Sequence, residues 1–363
     1  MPDKKIAIVY DWMDKMGGVE RMLVTLSEMY PEADWYTSYV DYKKADWIPD
    51  QVRDDKVKTS FIQHLPSFIK SNRILSLPFY PYAFESFDFS SYDLVISVTS
   101  SFAKCVITQP HTKHVCILLT PTRWLWSQIP AFAGMTKSLI QPFIQYVKKW
   151  DYVAAQRPDS IVSISKTVAD RCKKYYDRES MVVYPPFDEE YWERLLRFTR
   201  NDNGEYFLVV SRLEPYKKVD LVIRAFRDLP DKHLIIVGSG TQSSHLRSMA
   251  GKNVTFIHNA TDTQLAKYYS NAQALIMPQE EDFGYVSLEA QFFGCPVITY
   301  NKGGACETVI EGKTGTFFNM QSANAIRDAV AHFKRDKYNL KDRRKTLSQF
   351  SKNTFMNNIR NAI

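Results

Sequence analysis

Three hundred and sixty-three residues exceed what one ordinary hydrophobic core organises and suit two domains of conventional size. With 45% hydrophobic, 24% charged and 14% aromatic residues and a net charge of +7, the composition excludes a disordered chain. No apolar run approaches the roughly 18 residues of a membrane span.

The opening MPDKKIAIVYDW has an apolar stretch too short for a secretory leader, and five cysteines (Cys105, Cys116, Cys172, Cys295, Cys306) without a CxxC pair indicate neither a disulfide framework nor a zinc site. A cytoplasmic protein is expected. Charge is uneven: residues 1–100 carry 11 Lys/Arg against 15 Asp/Glu, whereas residues 101–180 carry 12 against 5. Such a basic surplus can attract phosphates or anionic lipid, or it can be a solvated helix face.

In chain order, a buried-strand pattern at residues 5–10 is followed by Gly17-Gly18 and by a run that sets Val19, Met22, Leu23, Leu26 and Met29 on one helical face. Strand, glycine turn and helix make the first βα unit of a doubly wound sheet. Short apolar runs predict further strands at 35–39, 94–98, 104–108, 115–119 and 160–164, with helices at 137–156 and 166–176. Tyr184-Pro185-Pro186-Phe187 is a stiff break and the candidate hinge. The rhythm then restarts, with strands predicted at 206–210, 233–237, 254–257, 274–277 and 296–300. Helices are predicted at 219–227, 241–250, 262–271, 286–293 and 323–333. The expected domains are residues 1–184 and 185–345, with a helical segment 346–363 as a candidate for docking back on the first. Two such halves would place a cleft between the carboxyl ends of two sheets.

Several motif fragments lead nowhere. Gly238-Ser-Gly240 resembles the start of a dinucleotide fingerprint, but Ser243 stands at the third glycine position. Gly312-Lys313-Thr314 resembles the end of a P-loop, yet Glu307 occupies its first glycine position. His111 and His114 have no third ligand nearby, so no metal site is expected.

The informative block follows the strand ending at Met277. Glu281 and Glu289 stand eight apart, with Asp282-Phe283-Gly284-Tyr285 after the first of them. Loops at the carboxyl ends of parallel strands hold ligands, Gly284 permits close backbone approach, and a following helix offers free amides. Glu289, one turn into that helix, could accept two hydrogen bonds from vicinal hydroxyls. Spacing alone favours Glu281 as a helix cap and Glu289 as a surface residue. A second strand exit, Ser211-Arg212-Leu213-Glu214-Pro215-Tyr216-Lys217-Lys218, places a guanidinium and an ammonium five residues apart, able to meet one diphosphate. Gly17-Gly18 adds a helix N-terminus suited to phosphate.

Taken together, FLVVSRLEPYKKVDLVIRAF, HLIIVGSG and PQEEDFGYVSLEAQFFGCPVITYNKGGACETVIEGKTGTFF resemble the group-1 (GT4-type) retaining glycosyltransferases, with E-x7-E as Glu281 to Glu289. IVYDWMDKMGGVERML, SFAKCVIT and TPTRWLW resemble the O-antigen mannosyltransferase branch of that family. The resemblance implies an α/β GT-B fold, two Rossmann-like domains facing across a cleft, with a nucleotide-sugar donor held mainly by the C-terminal half. It assigns Arg212 and Lys217 to the donor diphosphate, Glu289 to the ribose hydroxyls and Glu281 to the donor sugar. Backbone amides near Phe283, Gly284 and Tyr285 would face that sugar, and Gly17 and Gly18 would close over the phosphates. Catalysis is assigned to Glu281, Arg212 and Lys217, without a metal or other cofactor, which fits the absence of a DxD pair. Retention is explained by front-face attack, the leaving phosphate oxygen taking the acceptor proton.

The sequence departs from that branch at two places. Leu119 stands where the HTP-x-R pattern has histidine, and Ser127 where an acid follows the tryptophan. Asp11, Arg123 and Trp124 are the acceptor-side candidates, with packing an equal alternative for the last two. The expected activity is transfer of a hexose, mannose from GDP-mannose being one candidate, to a saccharide or lipid-linked acceptor. A turnover-deficient nucleotide-sugar-binding or scaffold protein is the alternative, and a sugar-nucleotide epimerase a third reading. Residues 140–149 could lie on an anionic membrane at its inner face or form an ordinary core helix. No nucleic-acid partner is expected.

Overall fold

The computed structural model describes residues 4–14, 17–45, 47–48, 56–70, 72–126, 137–197, 204–338 and 343–363. They form two compact units, residues 1–186 with 353–363, and residues 187–352. The division falls after Pro186 and Lys352 rather than at 184 and 345. Phe187 is fixed in the second unit, because its backbone N–H donates to Phe350 O at 2.6 Å and its ring meets Phe292 at 5.6 Å.

The first unit is built on seven parallel strands: β1 (Ile6–Tyr10), β2 (Asp34–Thr37), β3 (Val57–Thr59), β4 (Leu94–Thr99), β5 (Lys113–Leu118), β6 (Ser160–Ser163) and β7 (Met181–Val182). Their order is β3-β2-β1-β4-β5-β6-β7. β4 is buried at all six positions, as a central strand covered on both faces must be. The second unit has six: β8 (Tyr206–Val210), β9 (His233–Val237), β10 (Val254–Ile257), β11 (Leu275–Met277), β12 (Val297–Tyr300) and β13 (Gly315–Phe318), ordered β10-β9-β8-β11-β12-β13. Both sheets therefore reverse direction once, between β1 and β4 and between β8 and β11. Such switch points are where doubly wound sheets bind ligands. At the second of them the paired register is a single position, Leu275 opposite Leu208, whereas β8 and β9 pair over five.

The expected strand at 104–108 is not formed. Ala103–Cys105 is a single 3-10 turn, and the Lys104 side chain points into the core. β3, β7 and β13 and the helix Glu189–Leu196 escaped the sequence reading, two of these strands being only two and three residues long. The helix Lys137–Ala154 is an ordinary amphipathic one. Ile144 and Val147 are buried, Phe143 and Trp150 pack on the core, and Tyr146 faces solvent. Among the described residues no helix is long and apolar enough to cross a membrane.

Gly238, after β9, explains the fingerprint-like glycines. With φ at +143°, a Cβ there would lie 1.9 Å from Ser211 O, so the strand exits of β8 and β9 meet only because a side chain is missing. Gly238→Ala should lower unfolding free energy by about 2 kcal/mol or more, measured by urea denaturation.

His114, wholly buried on β5, shares a 2.8 Å hydrogen bond with Ser97 Oγ, and its Nδ1 has no partner. Burial pushes the imidazole down to about 4, outweighing the neighbouring Asp159 carboxylate. Between pH 6.5 and 4 the unfolded chain takes up a proton that the folded one refuses. Stability should thus be complete above that window and fall through it by roughly 3 kcal/mol at the acid end. Urea titrations across pH should show this slope in the parent and a shallower one in His114→Gln.

Candidate functional site

Three loops converge at the switch point of the second sheet. The first leaves β8 as Ser211–Lys218. Its Ser211 and Leu213 amides bond Val237 O at 3.0 Å and Ser239 O at 2.7 Å, and the Leu213 side chain is sunk in the core. Pro215–Lys217 then makes a 3-10 turn, and Lys218 takes a left-handed conformation (φ +55°) to enter the helix Val219–Arg227. A non-glycine residue held there carries backbone strain, and it sets the direction in which Lys217 leaves the chain.

Within this loop Arg212 and Lys217 lie on either side of one ring. The Arg212 guanidinium carbon is 5.9 Å and the Lys217 Nζ 5.3 Å from the Tyr216 ring centre, and an Arg212 N–H donates to Tyr216 Oη at 2.5 Å. The aromatic face attracts both cations and fixes where their charge stands. Arg212 is exposed and pairs with no carboxylate among the described residues. Lys217 reaches the second loop, which leaves β11, and its Nζ lies 2.5 Å from Glu281 Oε1. Two residues assigned separately to diphosphate and sugar are thus joined in one ion pair across the switch point.

The Glu281 backbone is held from β12. Its carbonyl accepts from Gly304 N–H at 2.8 Å. Buried Gln279 donates to the same carboxylate oxygen, Oε1, at 2.6 Å. Phe283 points inward against Tyr285 and Phe350, so only its backbone is available for a ligand. Gly284 adopts φ +94° and starts the helix Tyr285–Phe292, which has neither a side-chain cap nor an acid in its first turn. Its amides and dipole therefore suit an anion or a hydroxyl oxygen. Glu289, farther along, is 8% exposed and accepts a 2.9 Å hydrogen bond from buried Tyr269. That bond orients the carboxylate; the surface alternative for Glu289 does not hold.

In the first unit the sequence-derived candidates have other duties. Asp11, at the end of β1, is 1% exposed. Its Oδ1 accepts from Thr99 Oγ1 and from the Phe102 and Ala103 amides, and its Oδ2 from the Ser100 amide and hydroxyl, all within 3.3 Å. Five donors meet the carboxylate, so Asp11 fastens the β4 exit, a structural duty beside the acceptor-side role expected from the sequence. Gly17 and Gly18 do open the helix Gly18–Met29. However, Glu20 is buried in its first turn, with Oε2 at 3.0 Å from where a Gly17 Cβ would be, so that terminus already carries a negative charge. Trp124 packs against two core clusters, which favours its packing alternative, and Arg123 is half-buried beside it. Leu119 is buried, and Ser127 lies outside the described residues.

Sequence reading missed the network beneath the TPTRWLW segment. Buried Lys104 pairs with buried Asp151 at 2.7 Å, and Asp151 also accepts from Thr122, Trp126 and Tyr176 at 2.7–2.9 Å. Burial pulls the Lys104 pKa down, but Asp151 outweighs it and holds the ammonium well above its usual value. Tyr216, Gln279 and Tyr269 were missed as well. Tyr216 and Gln279 sit within the quoted motifs, where only their distance from a charged neighbour would have marked them; nothing local marks Tyr269.

Residues 194–354 match the family described as Glycosyl transferases group 1. The chain is 36% identical over 138 residues to a GDP-mannose-dependent alpha-(1-6)-phosphatidylinositol monomannoside mannosyltransferase of Mycolicibacterium smegmatis, covering 33% of this chain and 36% of that protein. It is 30% identical over 196 residues to a glycogen synthase of Mycobacterium tuberculosis, covering 50% and 46%. The chain therefore spans less than half the length of these curated relatives. Among solved structures, HepE of Anabaena with UDP-glucose is similar over 98% of both chains at 18% identity and a TM-score of 0.70. Sucrose-phosphate synthase of Thermosynechococcus elongatus is similar over 99% and 98% at 17% identity and a TM-score of 0.72. These structural likenesses give the fold as GT-B. The match to glycosyl transferases group 1 covers residues 194–354, which is most of the second unit.

Proposed function

We propose that the protein is a retaining glycosyltransferase that moves a hexose from a nucleotide sugar to a saccharide or lipid-linked acceptor. The observation that carries this reading is the placement of Arg212, Lys217 and Glu281 together at the switch point of a group-1 domain. Two cations on one short loop match the charge of a diphosphate, and an uncapped helix N-terminus and two carboxylates match the hydroxyls on either side of it. The Anabaena neighbour holds UDP-glucose and the M. smegmatis relative is GDP-mannose-dependent, which supports a nucleotide-sugar donor. Mannose from GDP-mannose is the first donor to try.

In this reading Arg212 and Lys217 stabilise the departing nucleoside diphosphate, and no metal is needed for that charge. Glu289, oriented by Tyr269, takes the ribose hydroxyls. Glu281 and the amides at 283–285 take the sugar. The leaving phosphate oxygen accepts the proton of the attacking hydroxyl on the same face of the sugar, which preserves the anomeric configuration. A lipid-linked acceptor would bring the protein to the inner face of a membrane.

A thermal-shift screen of nucleotide sugars, followed by transfer assays with the stabilising donor, tests the activity; transfer above background removes the turnover-deficient alternative. In isothermal titration, Arg212→Ala and Lys217→Ala should each weaken nucleoside diphosphate binding at least about tenfold, about 1.4 kcal/mol. Unchanged affinity in both variants would overturn the site. Glu281→Gln should cut the initial rate of transfer by about 100-fold or more.

A further inference from the structure

Lys217 is claimed twice. The proposed diphosphate needs its ammonium, yet Glu281 already holds it at 2.5 Å, and the two side chains are only 13% and 15% exposed. An ion pair so withdrawn from water cannot be opened without leaving a poorly solvated charge behind. Gln279 bears on the same oxygen. It is 4% exposed, donates Nε2–H to Glu281 Oε1 at 2.6 Å, and has no partner for its own Oε1. When Lys217 turns away, the Gln279 amide still keeps Glu281 in place, beside an acceptor that remains unmet.

Resting on the donor-site reading above, we infer that the Lys217–Glu281 pair is an exchangeable latch that distinguishes a diphosphate carrying a sugar from a bare one. A diphosphate bears more negative charge than one carboxylate and draws Lys217 to itself. Glu281 is then a like charge next to the phosphates, which opposes binding. Sugar hydroxyls are donors and re-satisfy Glu281 and the Gln279 oxygen; a bare nucleoside diphosphate has none to offer there. The donor is therefore held better than the diphosphate left after transfer, and closure of the latch speeds that product's departure.

The test is titration of UDP, GDP and inorganic pyrophosphate into the parent protein, Glu281→Gln, Arg212→Ala, Lys217→Met and the Lys217→Met/Glu281→Gln double variant. Removing the competing carboxylate should tighten binding of a bare diphosphate about tenfold, and this gain should vanish when Lys217 is absent. Loss of a merely structural contact would weaken binding, so the sign of the change decides. Glu281→Asp, which keeps the charge but shortens its reach to Lys217, should give a gain of the same sign and serves if the glutamine variant does not fold. Binding that Arg212→Ala weakens but Glu281→Gln leaves equal or weaker overturns the latch and keeps the site. Absence of binding by all three probes overturns both.

Discussion

Each sheet reverses its strand order once, and at each reversal two loops leave neighbouring strands with nothing between them but side chains. The remaining features of both units are arranged around closing that gap. In the first unit one carboxylate closes it with five neutral donors: Asp11 at the end of β1 gathers the amides and hydroxyls of the β4 exit. In the second unit a cation and an anion close it, Lys217 from the β8 exit against Glu281 from the β11 exit. The first closure has a donor for each carboxylate lone pair. The second consists of two charges that an incoming anion can separate.

This difference accounts for what the sequence disclosed. In the second half, the strands at 206–210, 233–237 and 254–257 and the helix at 219–227 fall at the predicted residues, since unbroken apolar runs between polar turns leave one solution. Arg212, Lys217, Glu281 and Glu289 were legible by type and by position after strand ends. Their partners were not. Tyr269 is twenty residues from Glu289, and no local pattern announces that its hydroxyl orients that carboxylate. The first half misled where charge is buried: Lys104 read as part of a strand because its apolar neighbours dominate, while its partner Asp151 lies 47 residues away. Asp11 looked like a ligand residue for the same reason, as an acid at a strand end is equally suited to hold a loop.

The buried pair of Lys104 and Asp151 lies in the first unit under the segment that begins with Leu119 and Thr120. Asp151 holds Thr122, Trp126 and Tyr176 at once, so the turn at 120–126 is anchored from below by groups that never reach solvent. Leucine at 119 leaves that anchoring untouched, since its own amide bonds Thr99 O at 2.8 Å whatever the side chain.

The last eleven residues, Asn353–Ile363, belong to the unit that begins the chain, with Phe355 and Ile359 buried and the Lys113 ammonium bound to the Ile363 carbonyl. The second unit is in effect an insertion within the first. During ribosomal synthesis, residues 187–352 can complete their fold while the earlier unit still lacks its final helix. The half translated first is therefore the half finished last, and a nascent chain stalled short of residue 353 would carry one mature unit and one with an open apolar face.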